Sequence, residues 1–192
     1  MKKRLLLGSL SILLCLMIYN FVKPVSTERM AKEVLKELYS INDLKAEEKR
    51  FEEEREYADS LWSNTDENFI SFDPIIIPDF FDYSNERAIN MINANNTYRR
   101  YRDVAVYKQF EMRVKSIELT DDFYSEADGT ILHEFTRVGY NFKVTVEINY
   151  LGDDENQTVV EEGKIVFMLE DKSWKLDYLR PIKFNYIFSK AH

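Results

Sequence analysis

The side chains that most often carry out catalysis are few in this sequence and do not form a recognised pattern. His133 and His192 are the two histidines of the 192-residue chain, and they lie far apart in sequence. A catalytic triad places a histidine between a nucleophile and an acid, and a histidine-based metal site uses several imidazoles. His133 falls at the start of a predicted strand, where we interpret it as a surface residue. The sequence therefore predicts no histidine-dependent active site, no metal site and no cofactor.

Two pairs of neighbouring carboxylates are the next candidates for chemistry. Asp121-Asp122 and Asp153-Asp154 both lie in turn-rich stretches. The segment DDFYSEADG, which begins at Asp121, lacks the ligand spacing of a calcium-binding loop. The chain also has no glycine-rich loop of the kind that binds phosphate. We interpret both acidic pairs as solvated turn residues, and these patterns predict no catalytic residue.

One basic segment has a composition that can bind nucleic acid. Residues 97–103, TYRRYRD, combine three arginines with two tyrosines, which can pair with phosphates and stack on bases. The net charge of the chain is −8, however, and residues 24–192 alone carry a net charge of −12. An acidic domain repels a phosphate backbone. We therefore interpret the segment as the cationic end of a helix and predict no nucleic-acid partner.

Residues 1–24 are predicted to form a membrane anchor outside the folded domain. Residues 5–22 carry no charge, three cations precede them and Lys23 follows. A helix of this length spans roughly 27 Å, close to the hydrocarbon thickness of a bilayer. The cations predict a cytoplasmic N-terminus and an extracytoplasmic C-terminal domain in the cell membrane. A cleaved signal sequence is the alternative, but no small-residue cleavage site follows, which favours a single-pass anchor.

Helical periodicity dominates residues 25–62. Met30, Val34, Leu38 and Ile41 recur three or four residues apart, so they form one apolar stripe. Residues 45–56, KAEEKRFEEERE, contain two apolar residues and predict a solvated helix held by ion pairs one turn apart. We predict one continuous helix, a stalk that becomes the first helix of the domain. A coiled-coil contact with a partner near the membrane is the alternative. Residues 63–192 are assigned to the remainder of that domain.

The segment between this helix and the strands contains a proline-bracketed apolar run. Residues 73–79, DPIIIPD, are predicted to be extended because a proline disfavours helix in the residue before it. Phe80 and Phe81 follow, and they either lie across the core as a lid or form an exposed docking patch. Ser84 is predicted to cap a helix that runs to about Arg102.

From Phe110 the period of the apolar residues changes to two. Phe110, Met112 and Val114 alternate, and Ile117 continues out of phase, which predicts a β-bulge near Lys115-Ser116. Residues 138–150 alternate regularly and predict a long strand with one face on the core. Short turns connect it to two further strands, so we predict an antiparallel meander of about four strands. Helices followed by such a sheet define an α+β fold.

The last hairpin, KIVFMLEDKSWKLDYLRP at residues 164–181, adds two predictions. Its first strand is apolar on both faces, with Ile165 and Phe167 on one side and Val166 and Met168 on the other. Val166 and Met168, together with Phe80 and Phe81, are therefore predicted to form an interaction surface. Strict alternation also predicts Trp174, Leu176 and Tyr178 on one face, and Asp177 on the opposite, polar face.

This hairpin and the order of the elements resemble nuclear transport factor 2-like domains over residues 28–182. The resemblance implies helices packed into a strongly bent sheet shaped like a cone. Enzymes of that superfamily use a carboxylate and a tyrosine inside the cone, so the resemblance implies Asp103, Tyr107 and Tyr140 as candidate polar residues of a cavity. Tyr140 also belongs to the regular apolar alternation of its strand, which favours a packing role.

The combination of one anchor and one such domain is similar to small bitopic assembly subunits of bacterial type IV secretion and conjugation machines. That resemblance implies a non-enzymatic domain that binds itself and other components of a channel. Two alternatives remain at this point: a small-ligand-binding or enzymatic cone domain, and an exported immunity or inhibitor protein.

Overall fold

The computed structural model describes residues 27–63, 78–121, 137–152 and 156–181. Helical segments come first in the chain and the strands follow, which confirms the predicted α+β order. The helical segments are α1 (residues 27–38), α2 (Leu44–Ser63), a 3-10 helix (Asp79–Tyr83), α3 (Glu86–Ala94) and α4 (Thr97–Lys108). The strands are β1 (Phe110–Asp121), β2 (Arg137–Tyr150), β3 (Asn156–Glu170) and β4 (Ser173–Pro181).

The prediction of one continuous helix over residues 25–62 was wrong, because the chain leaves the helix between α1 and α2. Ile41 forms an isolated antiparallel bridge with Met112 of β1. The N–H of each residue donates to the carbonyl of the other, at 2.9 and 3.0 Å. Asp43 then accepts a hydrogen bond from the N–H of Ala46, as an N-cap does for a new helix. Pairing with the sheet and burial of Ile41 therefore replace the helical turn.

The second predicted helix is also divided. Asn85, rather than Ser84, caps α3, and its side chain accepts from the N–H of Ala88 at 3.0 Å. The Ser84 hydroxyl instead donates to the carbonyl of Phe80 at 2.7 Å. Between α3 and α4, Asn96 adopts a left-handed conformation with φ of 50°, which asparagine tolerates better than most residues. The chain therefore turns at Asn96 before α4 begins.

The four strands form an antiparallel sheet in the order β1-β2-β3-β4, which confirms the predicted meander. The predicted bulge in β1 is also confirmed. Val114 pairs with Val146 and Ser116 pairs with Thr145, so Lys115 is the extra residue, with no backbone pairing partner in β2. This extra residue keeps the apolar residues of both halves of β1 on the face that packs against the helices.

A second bulge, in β4, was not predicted. Val166 pairs with Tyr178 and Phe167 pairs with Leu176, so Asp177 is the extra residue. Tyr178 therefore shares a face with Val166, and the prediction that it lies in line with Leu176 was wrong. Trp174 does pack against the helix-facing core and pairs with Leu169 near the turn.

The apolar core lies between the helices and one face of the sheet. The side chains that α1 and β2 bury in it are Ala31, Val34, Leu35, Leu38, Tyr140, Phe142, Val144, Val146 and Ile148. Gly163 of β3 lies opposite Phe142. A Cβ on Gly163 would lie 2.3 Å from the Phe142 ring and 2.5 Å from the carbonyl oxygen of Arg180, so this close approach requires glycine.

Residues 27–63, 78–121, 137–152 and 156–181 contain no helix with the length and hydrophobicity needed to cross a bilayer. The predicted anchor, residues 1–24, lies outside the described residues and stays a prediction, as does most of the proline-bracketed segment.

Candidate functional site

The three polar residues implied by the resemblance lie in three different environments. Tyr107 on α4 is 86% exposed, so it faces solvent rather than a cavity. Tyr140 is buried, and its hydroxyl lies 2.7 Å from the hydroxyl of Thr27 on α1. Asp103 lies between α2 and α4, where its carboxylate accepts a hydrogen bond from Arg50 at 2.9 Å. These residues do not line a common cavity, because α4 turns Tyr107 outward and Asp103 toward α2.

The four residues predicted as an interaction surface do not form an exposed patch. Phe80 is 0% exposed and Phe81 is 8% exposed, and both belong to the apolar core. Val166 is buried on the face of the sheet opposite that core, beside the half-buried Met168. Of the two alternatives, lid or docking patch, Phe80 and Phe81 therefore fit the lid. Their rings pack edge-to-face with centroids 5.4 Å apart.

A different group of polar side chains meets inside the domain. Tyr39 directly follows α1, Tyr101 lies on α4 and Glu161 lies on β3, and all three residues are 0% exposed. The Tyr101 hydroxyl donates to Oε2 of Glu161 at 3.3 Å. The rings of Tyr39 and Tyr101 pack edge-to-face with centroids 5.1 Å apart. We call these residues the interior cluster.

The interior cluster was missed at the sequence level, although a signal for it exists. Glu161 has the same phase in β3 as Val159 and Ile165, so alternation alone places its carboxylate on the core face. Tyr39 and Tyr101 have no comparable signal, because their positions depend on how α1 and α4 pack on the sheet. Their approach to Glu161 is a tertiary feature.

Burial controls the protonation of the interior phenols. It raises the pKa of Tyr39 far above its usual value. Burial likewise raises the pKa of Tyr101, and the neighbouring Tyr39 and Glu161 add to that rise. Both phenols are therefore neutral hydrogen-bond donors at physiological pH. A carboxylate beside a neutral phenol can support proton transfer, but all three residues are closed to solvent in this conformation.

A second polar group joins α2 to α4, and we call it the ionic seam. Arg50 donates to the carboxylates of Glu47, Glu54 and Asp103 at 2.8, 2.9 and 2.9 Å. The predicted ion pairs one turn apart are present in residues 45–56, and most of this stretch is solvated, but Arg50 and Glu54 are buried, which was not predicted. Arg99 adds ion pairs to Glu54 at 2.7 Å and to Asp103 at 3.2 Å.

The arginines of TYRRYRD lie in the first turns of α4, so their interpretation as the cationic end of a helix was wrong. The positive end of a helix dipole disfavours cations, and ion pairs with α2 offset this effect. Arg102 is buried, and its guanidinium carbon lies 3.5 Å from the centre of the Tyr98 ring. It also donates to the carbonyl of Glu37 at 3.0 Å and pairs with Glu47 at 3.2 Å. The TYRRYRD segment therefore joins α4 to α1 and α2.

A third polar group surrounds the bulge in β4. The Asp177 carboxylate is buried, and it accepts hydrogen bonds from Asn85 and Arg137, each at 2.9 Å. Arg87 of α3 lies 3.6 Å from the same carboxylate. The backbone N–H of Asn85 donates to the carbonyl of Leu176 at 2.9 Å. Asp177 therefore fastens the start of α3 to β4, and its predicted position on a polar outer face was wrong.

A pocket of about 260 Å³ lies at the junction of the α1–α2 connection with the sheet. Its lining residues are Ile41, Asn42, Glu111, Met112, Arg113 and Asn149. This volume is below the usual range of small-molecule sites, about 300–1,000 Å³. The described residues contain no group of three or more histidine, cysteine or acidic side chains placed to bind a metal ion.

Comparisons with family models, with curated proteins and with solved structures find no match for this chain. The class of the protein therefore follows from its own structure, as an α+β domain in which helices pack on one face of a four-stranded antiparallel sheet.

Proposed function

We propose that this protein is a non-enzymatic interaction domain, tethered to the cell membrane by residues 1–24 and positioned outside the cytoplasm. In this proposal it binds protein partners, including further copies of itself, as one component of a bacterial secretion or conjugation assembly. Its domain is of the nuclear transport factor 2-like type, with the helices held against the concave face of the sheet.

The closed interior of the domain is the observation that carries this proposal. An enzyme that used the interior cluster would have to bring substrate into contact with Glu161 or Tyr101. Both residues are 0% exposed, and Phe142 and Tyr39 pack beside them with ring centroids 6.3 Å apart. Aromatic side chains thus fill the space that a cone-shaped enzyme leaves for its substrate.

The distribution of charge supports the same proposal. The uncharged run at residues 5–22 is long enough to cross a bilayer, and the acidic remainder of the chain is repelled by anionic headgroups. Such a domain stays away from the lipid surface and presents its sides to other proteins. Exposed apolar side chains on the described surface include Tyr107 and Leu151, which are 86% and 55% exposed.

Site-specific photocrosslinking in native membranes tests the proposal. We would replace Tyr107, and separately Leu151, by a photoreactive amino acid in the full-length chain and irradiate intact cells. The expected result is a reproducible adduct, dependent on light, with an identified membrane or secretion component or with a second copy of the chain. Lys143 on the opposite face of the sheet provides an exposed comparison position. Recovery of the uncrosslinked chain alone from every position would contradict the proposal.

A second candidate, small-ligand binding, is favoured by one observation. The Tyr39 hydroxyl is fully buried and has no hydrogen-bond partner among the described residues, and such a group is usually satisfied by water or a ligand. Native mass spectrometry of the gently purified protein distinguishes the two candidates. A bound small molecule that is lost in Glu161→Gln would favour the ligand role, and an unliganded chain would favour the interaction role.

A further inference from the structure

The described side chains of helix α2, those of residues 44–57 and 59, contribute little to the apolar core. Among its described side chains, Leu44 in the first turn is the one that belongs to the core cluster. Further along the helix, the buried side chains are those of Arg50 and Glu54. By contrast, α1 buries a complete apolar face that includes Val34 and Leu38. Most of the described contact between α2 and the domain is therefore made by charged groups.

The ionic seam has the geometry of two antiparallel helices. Arg50 of α2 contacts Asp103 of α4, and Glu54, one turn later on α2, contacts Arg99, one turn earlier on α4. The Arg50 guanidinium is central, because it binds carboxylates from both helices. The exposed fractions of the four side chains range from 6% for Arg50 to 47% for Arg99.

A seam of this composition separates more readily than an apolar one. Burying charges has a desolvation cost that largely offsets their mutual attraction, so such contacts add little to stability compared with apolar packing. When α2 separates, the charges of Arg50 and Glu54 regain water. Separation of α1 would instead expose Val34, Leu35 and Leu38 to solvent. Regions with few buried apolar contacts open at lower free energy than the core.

We propose that α2 is a detachable helix, which opens away from α4 as a unit while α1, α3, α4 and the sheet remain folded. Arg50, which binds carboxylates of both helices, is the central residue of the ion pairs that hold it closed. This inference concerns a movement within the domain, and it does not depend on whether the domain is an interaction module or a ligand-binding protein.

Hydrogen exchange of the full-length chain, followed by mass spectrometry, tests this inference. In the wild-type protein, peptides from Leu44–Ser63 are expected to exchange faster than peptides from β2, because α2 opens without global unfolding. Arg50→Gln removes the central cation, so Glu54 and Asp103 keep their ion pairs to Arg99 and Glu47 keeps its ion pair to Arg102, but each loses the contact to Arg50. This substitution is expected to accelerate exchange in α2 by roughly tenfold to a hundredfold, and α2 should still exchange faster than β2.

Lys49→Gln is the matched control. It removes the same charge from the neighbouring position of the same helix, but Lys49 is 79% exposed and pairs with Glu53 at 3.4 Å. Exchange in α2 is expected to change by less than about fivefold in this variant. Wild-type α2 that exchanges as slowly as β2 would overturn the inference, and this comparison needs no variant to fold. Unchanged exchange of α2 in Arg50→Gln would also overturn it, since Arg50 would then make no contribution to holding the helix closed.

Discussion

Arg102 performs several structural tasks with one guanidinium. It stacks on Tyr98, pairs with Glu47 of α2 and donates to the carbonyl of Glu37 near the end of α1. The last carbonyls of a helix lack partners within the helix and need donors from elsewhere. A lysine could not reproduce this arrangement, because the planar fork of arginine both stacks and donates in several directions.

Asp177 has a comparable role at the sheet, and its removal gives a residue-scale prediction. Asp177→Asn keeps the size of the side chain but removes the charge that faces Arg137 and Arg87. We expect the free energy of unfolding to fall by about 3 kcal/mol, because Arg137 then loses its buried counter-charge. Urea denaturation measures this change.

Asp82→Asn provides the comparison for that measurement. Asp82 lies on the 3-10 helix, is exposed, and loses the same charge on substitution. Its unfolding free energy is expected to change by less than about 0.5 kcal/mol. If both substitutions had the same effect, the hydrogen bonds of Asp177 would not be the source of its contribution.

Single residues differ in how far the sequence predicts their positions. Glu161 could have been placed inside the domain, because its phase in β3 matches that of Ile165. Asp177 could not, because the bulge that turns it inward exists only through the pairing of β4 with β3. Arg50 pairs with Glu47 and Glu54 on its own helix, as their spacing predicts. Its contact with Asp103, and the contacts of Arg102 with Glu37 and Glu47, depend on how the helices pack and have no local signal.

At the scale of elements, strands were predicted more accurately than helices. The phase change between Val114 and Ile117 locates the β1 bulge, because alternation is a local property of the chain. The break after α1 depends on the bridge between Ile41 and Met112, which are distant in sequence. Tertiary pairing overrides helical periodicity at that point. The periodic pattern around Ile41 contains no information about its pairing with Met112.

The β1 bulge yields an element-scale prediction by single-residue deletion. Deleting Lys115 joins Val114 directly to Ser116, so Ile117 stays on the core face and alternation continues without interruption. The variant loses an ion pair to Glu147 in which the two side chains are 46% and 20% exposed. We expect a loss of about 1–2 kcal/mol in stability, from this pair and from the altered bend of β1. Thermal unfolding followed by circular dichroism should remain cooperative.

Deleting Lys143 from the middle of β2 is the matched experiment. It removes an exposed lysine as well, but β2 has no bulge to absorb the change, so Val144, Val146 and Ile148 shift to the wrong face. We expect no cooperative transition in this variant. Equal damage from both deletions would show that the phase of β1 is not set by its bulge.

At the scale of the whole molecule, buried phenols link folding to alkaline pH. Burial, together with the nearby acids Glu37, Glu33 and Asp79, raises the pKa of Tyr83 to about 12. Burial also raises the pKa values of Tyr39, Tyr98, Tyr101 and Tyr140. Above about pH 10 the unfolded chain releases phenolic protons that the folded chain still holds. The folded state then binds more protons, so its stability is fully present below pH 10 and falls as the pH rises further.

We therefore expect the buried tyrosines to ionise together with unfolding. The ultraviolet absorption of tyrosinate and the far-ultraviolet circular dichroism should change in one shared transition, apart from the signal of exposed tyrosines. Tyr39→Phe removes a raised pKa and should move this transition to higher pH. Tyr107→Phe, at an 86% exposed position, should leave it unchanged. Complete tyrosinate formation in a chain with native circular dichroism would contradict this expectation.

The α+β class and the order of the strands could be predicted for the whole molecule, because they follow from local alternation and short turns. The interior cluster and the ionic seam could not, because each joins elements that are separate in sequence. The membrane anchor and the likeness to nuclear transport factor 2-like domains stay predictions from residues 1–24 and from the closing hairpin.

The contacts of α1 also determine an order of folding. Each strand pairs with its neighbour in the chain, so the sheet can grow hairpin by hairpin from local contacts. The hydroxyl of Thr27, by contrast, contacts that of Tyr140, 113 residues later. Ile41 pairs with Met112, which is also distant in sequence. A chain made from its N-terminus therefore produces α1 before the strands and docks it only after β1 and β2 exist. Until then the apolar face of α1 has no sheet to cover it, so α1 is synthesised before the strands but is among the last elements to reach its final position.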